Sequence, residues 1–161
     1  MDKFKNKKIA AIHLVCTGNL LRSRLAEAYL RSKTKDIRIS SSGTQASLQN
    51  KGPIFWGTLR ILYRNNLLPY MKNMWSDTTG EDLKDADLVV FFGQANYDFC
   101  REKFNFSGDH LIWKVSDFDD IQLNGKPTSI AEEIKYLKMS ENIYIRIKQK
   151  VDELIKDRNL A

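Results

Sequence analysis

Cysteine is scarce in this chain, with only Cys16 and Cys100 present. Two thiols cannot build the disulfide framework that staples small secreted domains. No C-x-x-C occurs, and two histidines, His13 and His110, offer no zinc-like spacing. Neither a metal nor a cofactor is therefore expected. Three prolines and eight glycines argue against a long disordered stretch. No apolar run is long enough to span a bilayer, which removes membrane partners from the expectation. Lys3, Lys5, Lys7 and Lys8 do precede an apolar run at 9–16, as in a signal peptide. That run is short, contains His13 and lacks a small-residue cleavage site, so it reads as a first strand. The cytoplasm is the default compartment.

What remains is an ordinary globular mix of 42% hydrophobic and 29% charged residues. The 161 residues suit a single domain spanning 1–161 with a core of its own. The net charge of +6 is unevenly spread. Residues 1–80 hold 14 basic and 4 acidic groups, whereas residues 81–120 hold 4 basic and 10 acidic ones. A basic front favours anionic partners. Nucleic acid is not expected, because neither a zinc finger nor a ribonucleoprotein-type aromatic motif accompanies the charge.

Short apolar runs alternate with helical patterns. Residues 9–15, 37–41, 87–92 and 111–115 read as four strands. Leu21, Leu25, Ala28 and Tyr29 recur at helical spacing, as do Phe55, Leu59, Leu62 and Tyr63 after Pro53. A short helix is expected over 96–104, and a last one carries Ile143, Ile147, Val151, Leu154 and Ile155 on one face. The expected fold is α/β: a single three-layer domain with a four-stranded parallel sheet and helices on both faces. Residues 116–129, rich in Asp, Asn, Gly and Pro, read as a long loop that is either a functional lid or a surface insertion.

The chemistry concentrates in His13-Leu14-Val15-Cys16-Thr17-Gly18-Asn19-Leu20-Leu21-Arg22-Ser23. In open α/β sheets, ligands bind beyond the carboxyl ends of strands. Gly18 and Asn19 tolerate left-handed backbone angles, so the loop can turn successive N–H groups inward as an anion nest. A helix starting near Arg22 adds its positive end, and Arg22 adds a bidentate fork suited to phosphate. A thiol in that field favours its thiolate form at neutral pH. Nucleophile and oxyanion cradle thus coincide. By itself, a cysteine after an apolar strand is more often a small buried hydrophobe. Cys-x5-Arg spacing alone is also weak. The segment is not a nucleotide P-loop, since Gly-x4-Gly-Lys-Ser/Thr is absent.

As a whole, Cys16-Thr17-Gly18-Asn19-Leu20-Leu21-Arg22-Ser23 with Ala26-Glu27 resembles the signature of the low-molecular-weight protein tyrosine phosphatases. Ser41-Ser42-Gly43-Thr44, Asp87-Leu88-Val89-Val90 running on to Asn96, and Trp113-Lys114-Val115-Ser116-Asp117 resemble further family segments in the same order. The resemblance spans Ile9 to about Val151.

It implies a phosphomonoester hydrolase with Cys16 as the nucleophile of a phosphocysteine intermediate. Arg22 would bind phosphoryl oxygens, and Asp117 would act as general acid and then base. Amides of Thr17, Gly18, Asn19, Leu20, Leu21 and Ser23 would bind the phosphate. Ser23 would hydrogen-bond the Cys16 sulfur, and Ser41 would support Asn19. Implied substrates are a phosphotyrosine protein or a small aryl phosphate, together with phosphate-like anions; no metal is implied.

The departures are several. Phe118 and Asp119 follow Asp117 where the family has Pro and an aromatic, and Asp119 and Asp120 are rival acids. Ser47 falls where an aromatic often lines the cleft. Phe55 or Trp56 could stand in, although each reads more naturally as core. Arg24 replaces a proline and adds charge at the helix start, which suits an anionic substrate. Gly93 replaces an Asp, and Leu21 a second cysteine. Cys100 reads as a core residue, leaving oxidised Cys16 without a neighbouring resolving thiol. Two other readings stay open. One is a weak or inactive phosphate-binding regulatory protein, favoured by the altered acid loop. The other is an arsenate reductase, disfavoured by the lack of further cysteines.

Overall fold

In the computed structural model, residues 8–49, 52–117 and 129–161 are described. Four strands form one parallel sheet: β1 (Ala11–Cys16), β2 (Arg38–Gly43), β3 (Leu88–Phe91) and β4 (His110–Ile112), in the order β2-β1-β3-β4. The chain leaves β1 toward one edge and returns to the other side of it. β1 is therefore an inner strand at the switch point, where a crevice opens beyond the strand ends.

Among the described residues six α-helices accompany the sheet: α1 (Arg22–Lys33), α2 (Ala46–Gln49), α3 (Trp56–Arg64), α4 (Gly80–Lys84), α5 (Gln94–Phe104) and α6 (Ile130–Arg158). Strand alternation sends side chains to two cores. Ile12, Leu14, Leu88 and Val90 join Leu25, Ile61, Leu62, Ile147 and Val151 on the face covered by α1, α3 and α6. Val15, Val89 and Phe91 join Leu83, Cys100 and Phe106 on the face covered by α4 and α5. Both faces of β1 and β3 are thus buried, which explains their almost entirely apolar sequences, with His13 the one polar residue. The expected three-layer α/β fold is what forms.

Several local expectations need correction. Strand β4 stops at Ile112; Trp113 N still donates to Phe91 O at 2.7 Å, and Trp113 and Val115 join the core. On α3 the buried face is Gly57, Thr58, Ile61 and Leu62. Leu59 and Tyr63 are exposed, and so is Trp56, which is not a core residue. The expected stripe was one residue out of phase with the face that meets α1 and α6. On α6, Ile143, Ile147, Val151 and Leu154 are buried as expected, with Ile155 half-buried. Helices α2 and α4 were not anticipated, being too short to show a period. Helix α4 is set by a capping box in which Thr79 and Asp82 exchange hydrogen bonds. Among the described residues no helix is long and apolar enough to cross a membrane.

Candidate active site

The site grows from the end of β1. Cys16 pairs in register with Gly43 of β2, and the chain then turns through residues 17–21 into α1. Thr44 N donates to Cys16 O and Gln45 N to Thr17 O, each at 2.9 Å, so the loop is stitched to the segment after β2. A Cβ on Gly43 would lie 2.5 Å from Thr17 O and 2.7 Å from Asn19 N. Only glycine permits that approach. The left-handed residue of the turn is Asn19 alone, at φ 50°; Gly18 does not share that conformation. Helix α1 starts at Arg22 with no side-chain cap at Leu21. Its first amides are therefore not consumed by a capping oxygen.

The side chains form a connected buried set. Cys16 Sγ lies 3.0 Å from Ser23 Oγ and accepts from Asn19 N at 3.3 Å. Asn19 Nδ2 donates to Ser23 Oγ at 2.8 Å and to Ser41 Oγ at 2.9 Å. Ser41 Oγ in turn donates to Glu27 Oε2, and Glu27 Oε1 is 2.6 Å from Arg31 Nη2. Burial pushes the Glu27 carboxyl upward, against the pull of Ser41 and Arg31. On its other side, Asn19 Oδ1 accepts from Lys72 Nζ at 3.2 Å and from Ser76 N at 3.1 Å. Asn96 Nδ2, near the start of α5, donates to Thr17 Oγ1 at 3.1 Å. Thr58 Oγ1 donates to Leu20 O at 2.7 Å. Leu21 is buried in the core below.

Arg22 reaches across to the segment after β4. Its Nη1 donates to Val115 O at 3.0 Å and its Nη2 to Asp117 Oδ2 at 2.9 Å. The arginine side chain is 6% exposed and the aspartate 32%, so the carboxylate sits at the rim. Cys16 ends β1 and Asp117 follows β4, both at the carboxyl end of the parallel sheet, and Arg22, at the far end of the loop that Cys16 begins, holds Asp117 there. Asp119 and Asp120, the rival acids, lie outside the described residues.

Two side chains behave differently from expectation. Arg24 does not project toward an incoming anion. It is buried, with Nη1 donating to Asn19 O at 3.3 Å and Pro53 O at 3.0 Å, and Nη2 to Lys72 O at 2.5 Å. Lys72 was missed altogether. It lies in a stretch without periodicity, and only the turn of the chain brings its Nζ to Asn19. Cys100, by contrast, is a buried core thiol as expected, and burial pushes it up to about 12. Among the described residues, no group of His, Cys, Asp and Glu could hold a metal ion.

The sequence model of the family described as "Low molecular weight phosphotyrosine protein phosphatase" matches residues 11–158. The chain belongs to that family. It is an enzyme of the low molecular weight phosphatase type. A curated relative, the low molecular weight protein-tyrosine-phosphatase PtpA of Staphylococcus aureus, is 30% identical over 159 residues, covering 92% of this chain and 96% of that protein. The fold matches the solution structure of a low molecular weight protein tyrosine phosphatase from Bacillus subtilis, with TM-score 0.66 and 22% identity, over 92% of this chain and 99% of that one. It also matches the YwlE arginine phosphatase of B. subtilis, solved as a mutant with a phosphorylated active site serine. That match has TM-score 0.62 and 21% identity, over 94% and 99% of the two chains. Phosphatases of this scaffold thus carry different names for the residue they act on, tyrosine in one and arginine in the other.

Proposed function

We propose that the chain hydrolyses phosphomonoesters, phosphotyrosine in a protein or a small aryl phosphate, through a phosphocysteine intermediate on Cys16. The observation that carries this reading is the convergence of Cys16, Arg22 and Asp117 around one loop. In the first step Cys16 Sγ attacks phosphorus and the ester P–O bond breaks. Protonated Asp117 gives its proton to the departing oxygen. Arg22 leaves Asp117 to hold two phosphoryl oxygens, and the loop amides from Thr17 to Ser23 hold the rest. In the second step Asp117 takes a proton from water, whose oxygen attacks phosphorus. The P–S bond breaks, and the Ser23 hydroxyl supports the sulfur as it leaves. Asn19, held by Ser41, keeps the loop in its left-handed turn. No metal enters, because the arginine and the amides neutralise the charge. Two free thiols suit a cytoplasmic setting, where cysteines stay reduced.

The test is hydrolysis of an aryl phosphate by the wild-type chain and by Cys16→Ser. Turnover that the substitution abolishes supports the reading. Binding of phosphate or orthovanadate with no turnover between pH 5 and 8 would favour the regulatory alternative. An arsenate reductase is disfavoured by Cys100, whose buried, strongly raised thiol does not suit a redox relay.

A further inference from the structure

Arg24 is an unusual residue to find beneath a phosphate-binding loop. It is 2% exposed, yet it carries a guanidinium. Its three acceptors are backbone carbonyls from separate parts of the chain: Asn19 O in the loop, Pro53 O before α3 and Lys72 O before β3. Among the described residues its Nε has no hydrogen-bond partner although it is buried. Burial pushes the Arg24 guanidinium down against the favourable charge of Glu27, and a buried guanidinium whose hydrogen bonds all go to carbonyls, with one donor unmet, is costly for folding alone. The acceptor it finds in the loop is the left-handed residue Asn19. Lys72, whose own carbonyl binds Arg24, returns to the same residue by donating Nζ to Asn19 Oδ1, and it also donates to Ser41 O. Asn19 is therefore gripped at its backbone by Arg24 and at its side chain by Lys72. Its amide nitrogen is the one that donates to Cys16 Sγ.

We propose that Arg24 is a positioning residue: a buried clamp that fixes the Asn19 turn, and through it the sulfur and the loop amides, relative to the incoming phosphate. The role is geometric, because a planar fork that spans three carbonyls cannot be replaced by a point charge. The proposal rests on the phosphatase reading above.

The experiment compares Arg24→Lys and Arg24→Gln with the wild type, using an aryl phosphate well below the melting temperature of each. Both variants are expected to lose about 10²-fold in kcat, the scale of a small misplacement at a reacting centre, with KM little changed. A lysine variant with wild-type kcat would overturn the clamp in favour of charge alone. A folded glutamine variant with wild-type kcat and only a lower Tm would reduce Arg24 to a structural part. Should neither variant fold, Arg24→Pro replaces them, since the first turn of a helix accepts proline; retained kcat in that protein would overturn the proposal. An inactive wild type would instead sink the phosphatase reading and take this one with it.

Discussion

Arg22 and Asp117, 95 residues apart in sequence, are joined by a 2.9 Å ion pair at the end of the loop that begins at Cys16. On the proposed mechanism the pair has a cost: a phosphate arriving at Cys16 must take the guanidinium from the carboxylate.

Replacing Asp117 by Asn removes that cost. The carboxylate that competes for Arg22 is gone, so inhibition by inorganic phosphate should be no weaker than in the wild type. Hydrolysis of an alkyl phosphate, with its poor leaving group, should fall by about 10²- to 10⁴-fold for want of an acid. An activated aryl phosphate should suffer much less. Unimpaired alkyl phosphate hydrolysis would move the acid to Asp119 or Asp120.

Ser23→Ala removes the hydroxyl 3.0 Å from Cys16 Sγ and also the acceptor of Asn19 Nδ2. If Ser23 eases departure of the sulfur, breakdown of the phosphocysteine should slow roughly tenfold, corresponding to about 1.4 kcal/mol. Stopped-flow assay should then show a burst of aryl alcohol followed by a slow steady state. A uniform slowing of both phases would assign Ser23 to the loop scaffold only.

Gly43→Ala should damage the site from outside it. The added Cβ would meet Thr17 O and Asn19 N, both backbone, which cannot rotate away. The strain of overpacking is of the order of 1–3 kcal/mol. The variant should melt earlier than the wild type and bind orthovanadate more weakly. Normal vanadate affinity would show that the loop does not need this close approach.

His13 makes stability depend on pH. It is buried between Ser40 and Ser42, with both ring nitrogens 2.7 Å from a serine Oγ. Burial, the largest cause, pushes it down to about 4 from the ordinary 6.5. The folded protein therefore keeps the ring neutral where the unfolded chain protonates it. Its contribution is complete above pH 6.5 and is lost as pH falls toward 4, by up to about 3 kcal/mol. Denaturant titrations at pH 7 and pH 4.5 should show a steeper loss for the wild type than for His13→Gln. Equal losses in the two proteins would remove His13 as the cause.

The fold was legible because the inner strands are buried on both faces and are written as largely apolar runs, unbroken in residues 88–92 and interrupted in β1 only by His13. The loop from Cys16 to Ser23 was legible because its neighbours in space are also neighbours in sequence; the family resemblance supplied the pairing of Ser23 with the sulfur, whereas the bond from Asn19 N to Cys16 Sγ was not foreseen. Lys72 and Ser76 were not, since they reach Asn19 across more than 50 residues of aperiodic chain. Arg24 was visible, but its direction was misread. An arginine in a first helical turn is ordinarily solvated, and nothing local reveals that three carbonyls wait beneath it. The face of α3 was misjudged for a related reason: nine residues supply too few turns to fix the phase of a stripe.

The bond from Arg22 to Val115 O bears on how this chain can change over time. A main-chain oxygen is present whatever residue occupies position 115, so mutation there cannot delete it. One half of the arginine fork is secured by the path of the backbone, and only the other half depends on an aspartate. Exchange of the residue at 117 therefore leaves Arg22 its bond to Val115 O. On the phosphatase reading, the proton donor is then the replaceable part of the machinery.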